Sequence, residues 1–500
     1  MARILIFSLA LSLLPNLATQ SQAGPQRMFG YDTWSLGRAG SQGAFGADVG
    51  VLFSNPALLS DLDNRIGFGF LLLKPSLKAS LMDRPANADI PVSFYDSDVG
   101  IEGSNLDRPL PTIELRNARA DNEQSGAAGY LGIGLVQSLG FDDFRLGLLL
   151  MVPHSGIATF ASNYPDEREQ YFSNTVHFTR FGEWSEVFTA LLGAAYRPLP
   201  WLSLGASVEM TLAMGASLDA FVPEATVQDY ALANMAVEAK PSGRAIIGLN
   251  AQPLDFLSLS LVWRDRKFVK VDAEAMLNLW NFHEGDTAVP KRVMQNHLLA
   301  IDFEPMEFSF SAGVELGAWS VEAGVTWNRW SDYLDHHHQR AQETAEFIPT
   351  NLDDVDVDGS AFAFSDTWSF STGLAWTYRE GFTATAGAAF RPTPVPAQIG
   401  RTNYVDSDLL SLALGHRFAF QFGDRKLQAD IGLQFWQMFT TTVHKDPTMI
   451  RDEFADRAKT LLNGQPMIEA EGLQTNNPGF PGYDAGGWAL VGAASLSYLF

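Results

Sequence analysis

Trp319–Asn328 reads WSVEAGVTWN. Its odd-numbered positions are Trp319, Val321, Ala323, Val325 and Trp327; its even-numbered ones are Ser320, Glu322, Gly324, Thr326 and Asn328. A period of two puts the first set on one face of a β-strand and the second on the other. Thr367–Tyr378 (TWSFSTGLAWTY) repeats the pattern, with Trp368, Phe370, Leu374, Trp376 and Tyr378 on one face. So does Trp201–Met210 (WLSLGASVEM), with Leu202, Leu204, Ala206, Val208 and Met210 opposite Ser203, Gly205, Ser207 and Glu209. A soluble sandwich also alternates, with its large side chains inward and a solvated polar face outward. Here the polar faces are mostly Ser, Gly, Thr and Ala, and aromatics recur at the ends of the apolar faces, like an interfacial girdle. The pattern predicts an all-β chain: a transmembrane antiparallel β-barrel with lipid outside and a lumen inside.

The C-terminus agrees. Gly486–Phe500 (GGWALVGAASLSYLF) sets Trp488, Leu490, Ala494, Leu496, Tyr498 and Phe500 on one face. Bacterial outer-membrane barrels resemble this, since their last strand commonly ends in Phe as a signal to the barrel assembly machinery. Candidate strands fall at about 65–79, 128–138, 142–157, 185–197, 201–221, 243–251, 256–280, 296–317, 319–331, 368–378, 381–391, 408–422, 426–444 and 487–500. That is about 14, an even number as in single-chain bacterial barrels. Short connections (140–142, 198–200, 252–255, 379–381, 423–425) alternate with long ones, including 222–242, 281–295, 332–367 and 445–486. Short periplasmic turns and long outer loops are the outer-membrane pattern.

Residues 1–23 read as a signal peptide: Arg3, an apolar run from Ile4 to Leu14, then small residues up to a cleavage point near Ala23. The run is too short to span a bilayer as a helix. The chain has no cysteine, so no disulfide holds it, and 34 basic against 57 acidic residues (net −23) argue against a nucleic-acid partner. Residues 24–64 are rich in Gly and Ala, poor in Lys and Glu, and carry Phe29, Trp34, Phe45 and Phe53. A barrel of this size encloses more space than its own side chains fill. The segment is expected to fold back as a hatch, or plug, inside a barrel formed by residues 65–500.

The segment SLGRAGSQGAFGADVGVLFSNPALLSDLDN (Ser35–Asn64) resembles the hatch of the FadL family, outer-membrane transporters of long-chain fatty acids and other hydrophobic compounds. The matching pieces are Gly37-Arg38-Ala39 and Asn55-Pro56-Ala57. Met151–Tyr164 (MVPHSGIATFASNY), Trp327–Tyr333 (WNRWSDY) and Arg391–Asp408 (RPTPVPAQIGRTNYVDSD) resemble further family segments. The resemblance implies 14 strands, a hatch and passive uptake: capture in a loop groove, binding in the lumen beside the hatch, and lateral exit into the membrane at a kinked third strand. Lipopolysaccharide bars direct entry of apolar molecules, which gives such a path its purpose.

Particular residues suit each step. Pro153 cannot donate to a ladder, and Gly156 allows a bend, which marks the kink. Two loops read as amphipathic helices. Asp446–Gly464 carries Ile450, Phe454 and Leu461; Pro223–Ala239 carries Val227, Tyr230 and Met235. They either cover the barrel mouth or form the capture groove. Glu209, Glu322, Asp430, Arg264 and Arg417 fall on predicted inner faces. They brace the wall as ion pairs, or Arg264 or Arg417 holds a ligand carboxylate, for which the guanidinium fork is suited. Asp354, Asp356 and Asp358 open a calcium-loop pattern whose twelfth position is Ser365 rather than Glu. That excludes an EF-hand and leaves a solvated acidic loop or a loop-stabilising Ca²⁺. No other cofactor is expected, and no grouping of nucleophile, base and orienter suggests an enzyme. The alternative to transport is a FadL-like barrel serving secretion or surface assembly.

Overall fold

The computed structural model describes residues 30–85, 88, 119–141, 143–154, 158–159, 175–178, 186–222, 232–284, 287–333, 363–423, 425–450, 452, 473, 475 and 477–500. Fourteen strands close into one antiparallel barrel. In chain order they are β1 (Arg65–Leu81), β2 (Ala128–Ser138), β3 (Phe144–Pro153), β4 (Thr189–Leu199), β5 (Leu202–Val222), β6 (Leu232–Leu254) and β7 (Leu257–Arg264). They continue with β8 (Met306–Leu316), β9 (Trp319–Arg329), β10 (Thr367–Arg379), β11 (Phe382–Arg391), β12 (Leu409–Phe422), β13 (Arg425–His444) and β14 (Gly482–Leu499). Each pairs with the next, and β14 pairs back onto β1 from Arg65↔Leu499 to Leu81↔Tyr483. Closure pairs the first and last strands, so the barrel has no free edge strand to present unpaired N–H and C=O groups to hydrocarbon; the ladder between β3 and β4 stops at Met151↔Thr189.

Alternation sets the two faces. Phe68, Phe70, Trp368, Phe370, Leu412, Leu414, Ile431 and Leu433 are exposed on the outside, while Ser258, Ser311, Glu322, Asn328 and Asp430 are buried inside. This inverts the order of a soluble protein and is what lipid requires. Stacked pairs lie on the outer face: Trp319–Trp376 with centroids 5.0 Å apart, and Phe308–Trp327 at 6.1 Å.

Two segments differ from expectation. The strands expected at 256–280 and 296–317 each break, giving β7 and β8 in the wall and a separate hairpin of Lys267–Glu284 with Thr287–Glu304. The hairpin runs parallel to the end of β5, from Ala216↔Ala273 to Val222↔Leu279. Strand therefore also replaces most of the loop expected at 281–295. The helix expected over Pro223–Ala239 is strand from Leu232 onward, with Met235 paired to Leu218. Its Ala, Met and Glu favour a helix locally, but a continuous ladder with β5 outweighs that weak preference.

Candidate functional site: hatch, lumen and third strand

Residues 30–62 fold inside the barrel. Asp32 caps α1 (Thr33–Leu36): one carboxylate oxygen accepts from Ser35 N at 2.6 Å, the other from Gly50 N at 2.8 Å and Gln42 Nε2 at 3.2 Å. One side chain thus ties three parts of the hatch together. α2 (Val51–Ser54) leads into the Asn-Pro-Ala motif. Asn55 Oδ1 accepts from Ala57 N at 3.1 Å, and Pro56 opens a 3₁₀ turn, Pro56–Asp61, where a missing N–H does no harm. Asn55 Nδ2 donates back to Gly43 O at 2.9 Å and across to Leu249 O on β6 at 3.4 Å. The wall beneath is glycine. A Cβ on Gly205 would stand 2.3 Å from Ala57 N, and one on Gly248 would stand 2.1 Å from Asn55 Oδ1.

Wall charges hold the hatch. Glu322, on β9, accepts from three successive hatch amides, Gly43 at 2.6 Å, Ala44 at 3.1 Å and Phe45 at 3.3 Å, and from Arg38 at 3.3 Å. Arg264 donates to Phe53 O at 2.9 Å and Ser54 O at 2.8 Å while bonding Glu307 at 2.9 Å and Ser309 at 3.0 Å. Its guanidinium lies 4.8 Å from the Phe53 ring centroid, and that of Arg244 lies 5.4 Å away. Arg244 and Lys267 form a buried network with Glu209 and Glu304, and Glu209 also accepts from Tyr31 at 3.1 Å. Arg417 grips Asp430 with two 2.8 Å bonds and sits 4.0 Å over Trp34. All five charged residues expected on the inner face are there. In this structure Arg264 and Arg417 bond wall carboxylates and touch hatch residues.

Burial, and then the neighbouring Asp48, push the Asp32 carboxyl up to about 7; burial pushes Asp48 up as well. The docked hatch therefore holds protons that a released hatch gives up. Docking is favoured fully below the ordinary carboxylate range and weakens as pH rises through about 7. Hydrogen exchange of the hatch amides, corrected for intrinsic rates, should show greater protection at about pH 5 than at about pH 8. Asp32→Asn keeps a capping side chain and should remove most of that difference. An unchanged pH dependence in the variant would assign it elsewhere.

The lumen has two sectors. Near β1 to β4 it is apolar, with Leu71, Leu73, Tyr130, Leu149, Met151 and Leu191 buried in one cluster with hatch residues Val49, Leu52 and Phe53. On the far side, between the hatch and β7 to β11, lies a cavity of about 140 Å³ with a mixed lining: hydroxyl and amide side chains, the charged Arg264, Glu307 and Arg391, and apolar groups such as Phe53, Val262 and Trp330.

The third strand changes partners abruptly. Its pairing with β4 ends at Met151↔Thr189, and the next described pair, Ala158↔Val187, is shifted in register by five residues; Val152 and Pro153 have no ladder partner on β4 among the described residues. Pairing with β2 continues to Tyr130↔Pro153, and His154 N still donates to Gly129 O at 2.7 Å. Pro153 thus sits where the ladder with β4 has ceased; Gly156 lies outside the described residues.

Of the expected capture groove, Ile450 is buried against Ala88 and Phe480. Asp446 caps a 3₁₀ turn, Pro447–Met449. Val227, Tyr230, Phe454 and Leu461, and the calcium candidates Asp354, Asp356 and Asp358, lie outside the described residues, as does the segment 1–23 expected to be a signal peptide. A cluster of five rings not anticipated from sequence, Phe303, Trp330, Tyr333, Phe364 and Tyr404, is buried together; Trp330 also lines the cavity.

Residues 272–465 match the family described as outer membrane protein transport protein (OMPP1/FadL/TodX). No curated protein matches the chain. Among solved structures, a FadL homologue of Pseudomonas aeruginosa superposes with a TM-score of 0.54 at 14% identity, over 94% of this chain and 98% of the other. The Pseudomonas putida toluene transporter TodX superposes at 0.50 and 14% identity, over 95% and 99%. At such identity the likeness is one of fold. The resemblance to the FadL family therefore holds, in sequence over residues 272–465 and in the fold of a hatch-filled barrel of fourteen strands over nearly the whole chain.

Proposed function

We propose that the chain is an outer-membrane channel for passive uptake of hydrophobic compounds, which enter the lumen from the loop end and leave sideways between β3 and β4. The observation that carries this reading is the interrupted ladder beside the apolar sector. Between Met151↔Thr189 and Ala158↔Val187 the register shifts by five residues, and Val152 and Pro153 pair with no residue of β4 among the described residues. Unpaired backbone at membrane depth costs several kcal/mol per group unless protein or a cavity screens it. Such a gap persists where it serves as a passage. Leu149 and Met151, at the end of that ladder, are buried in one apolar cluster with the hatch residues Val49, Leu52 and Phe53. An apolar molecule following this route never enters bulk water. Long-chain fatty acids are the ligand that the family resemblance implies; among the described residues no comparable feature favours secretion or surface assembly.

The chain has no cysteine of its own, so cysteines at Val152 and Phe188 can be joined by a short reducible cross-link. The bridged protein is expected to fold and to bind hydrophobic probe in detergent, yet deliver none to cells until the link is reduced. Undiminished delivery while bridged would remove the lateral route and leave passage through the hatch as the better account. In the same assay Pro153→Val combined with Gly156→Val is expected to slow delivery without abolishing binding.

A further inference from the structure

The cavity beside the hatch is built for a different chemistry from the apolar sector. Three adjacent strands each supply inward side chains two residues apart: Ser309 and Ser311 from β8, Thr326 and Asn328 from β9, Ser369 and Ser371 from β10. The ladder brings these into rows, so Ser309 Oγ lies 2.9 Å from Thr326 Oγ1 and Asn328 Nδ2 donates to Ser369 Oγ at 3.1 Å. Gly324 leaves a notch between two of the hydroxyls; a Cβ there would stand 2.9 Å from Ser311 Oγ and 3.0 Å from Ser371 Oγ. On the hatch side, Gln42 is 1% exposed and its Oε1 accepts no hydrogen bond among the described residues.

Of the three charged residues in the lining, Glu307 and Arg264 pair with each other. Glu307 is buried and bonded to Arg264, which also donates to Ser309 and to the hatch carbonyls of Phe53 and Ser54. Arg391, the last residue of β11, donates to Ser411 Oγ at 3.1 Å. An incoming carboxylate would compete with the buried Glu307 anion for Arg264 and lose its own hydration, with Arg391 as the other cation of the lining. A hydrocarbon would cover hydroxyl and amide groups without bonding them. The volume, about 140 Å³, is well below the roughly 300 Å³ of a site that encloses a whole small ligand, so it suits a head group whose tail lies outside.

We infer that this cavity seats an uncharged hydrogen-bonding head group, so that the channel's ligand is a neutral amphipathic molecule such as an aliphatic alcohol, ketone or amide, rather than a bare hydrocarbon or a carboxylate. This rests on the channel reading and narrows it away from fatty acids. The hydroxyl rows and Gln42 bond the head, and Phe53, Val262 and Trp330 flank the start of the tail.

The test is calorimetric titration of the full-length protein in amphipol with 1-octanol, octane and octanoate. Octanol is expected to bind about tenfold tighter than either of the others, the effect of one or two hydrogen bonds made to otherwise uncompensated groups. Ser311→Ala with Ser371→Ala should bring octanol down to the level of octane while leaving octane unchanged. Octane equal to or tighter than octanol overturns the head-group site, and octanoate tightest overturns its neutrality; either leaves the channel reading standing. Binding of none of the three removes the channel reading and this inference with it.

Discussion

Glu322→Ala is expected to release the hatch from an otherwise intact barrel. Glu322 is 1% exposed and is the acceptor for the amides of Gly43, Ala44 and Phe45 and for the fully buried Arg38. Losing it leaves three amide donors short of a partner, at about 1–3 kcal/mol each where water cannot replace the carboxylate. It also strands a buried guanidinium, worth about 3–5 kcal/mol when a buried pair is broken on one side. Water entering the lumen offsets part of this, but the sum is still large against the few kcal/mol that hold a docked segment. The wall should not suffer, because Glu322 and its β-partners Gly313 and Gly373 are paired through their backbones. The variant should retain heat-resistant migration, conduct ions in planar bilayers in long openings that the parent lacks, and lose amide protection at residues 43–45. Glu322→Gln, which still accepts but carries no charge for Arg38, should fall between. A closed, fully protected hatch in Glu322→Ala would show that the aromatic contacts of Trp34 and Phe53 suffice.

What could be read from the sequence was the wall, because a barrel strand carries its signal within itself. β2 is expected and found at 128–138, and the inward set of β9 is the even-numbered set of WSVEAGVTWN. The hairpin 267–304 was not legible, since apolar residues run on past Asp265-Arg266 and Glu304-Pro305, where the chain leaves the wall. The direction of the inner charges was legible; their partners were not. Glu322 meets amides 277 to 279 positions away, and nothing local records that. The wall glycines Gly205 and Gly248 looked like generic small lumen residues, and only the docked hatch shows that they are its footprint. The break between β3 and β4 was signalled by Pro153, but its extent depends on the register of a strand more than 30 residues on, at Thr189.

That footprint yields a prediction with an internal control. A methyl group on Gly248 would meet the Asn55 side chain, 2.1 Å from Oδ1, with Pro56 Cδ next at 2.9 Å; one on Gly205 would meet backbone, 2.3 Å from Ala57 N and from the Pro56 carbonyl carbon. Neither change harms the strand, in which Ala is better than Gly, so both barrels should assemble. Both should seat the hatch poorly, since overpacking a tight contact costs about 1–3 kcal/mol. The responses to Asn55→Ala must then differ. Alone, that substitution removes the cap on Ala57 N and the bonds to Gly43 O and Leu249 O, and weakens docking by about 1–2 kcal/mol. Combined with Gly248→Ala it also removes the atom that the new methyl strikes, so the double variant should dock better than the two separate losses predict. Combined with Gly205→Ala it relieves nothing, because the clash is with main chain, and the losses should simply add. Hatch protection measured across the two cycles gives the coupling energies directly. A positive coupling for Gly248 and none for Gly205 places Asn55 against Gly248 and the Pro56–Ala57 peptide against Gly205; equal couplings would mean that the motif seats on the wall in some other way.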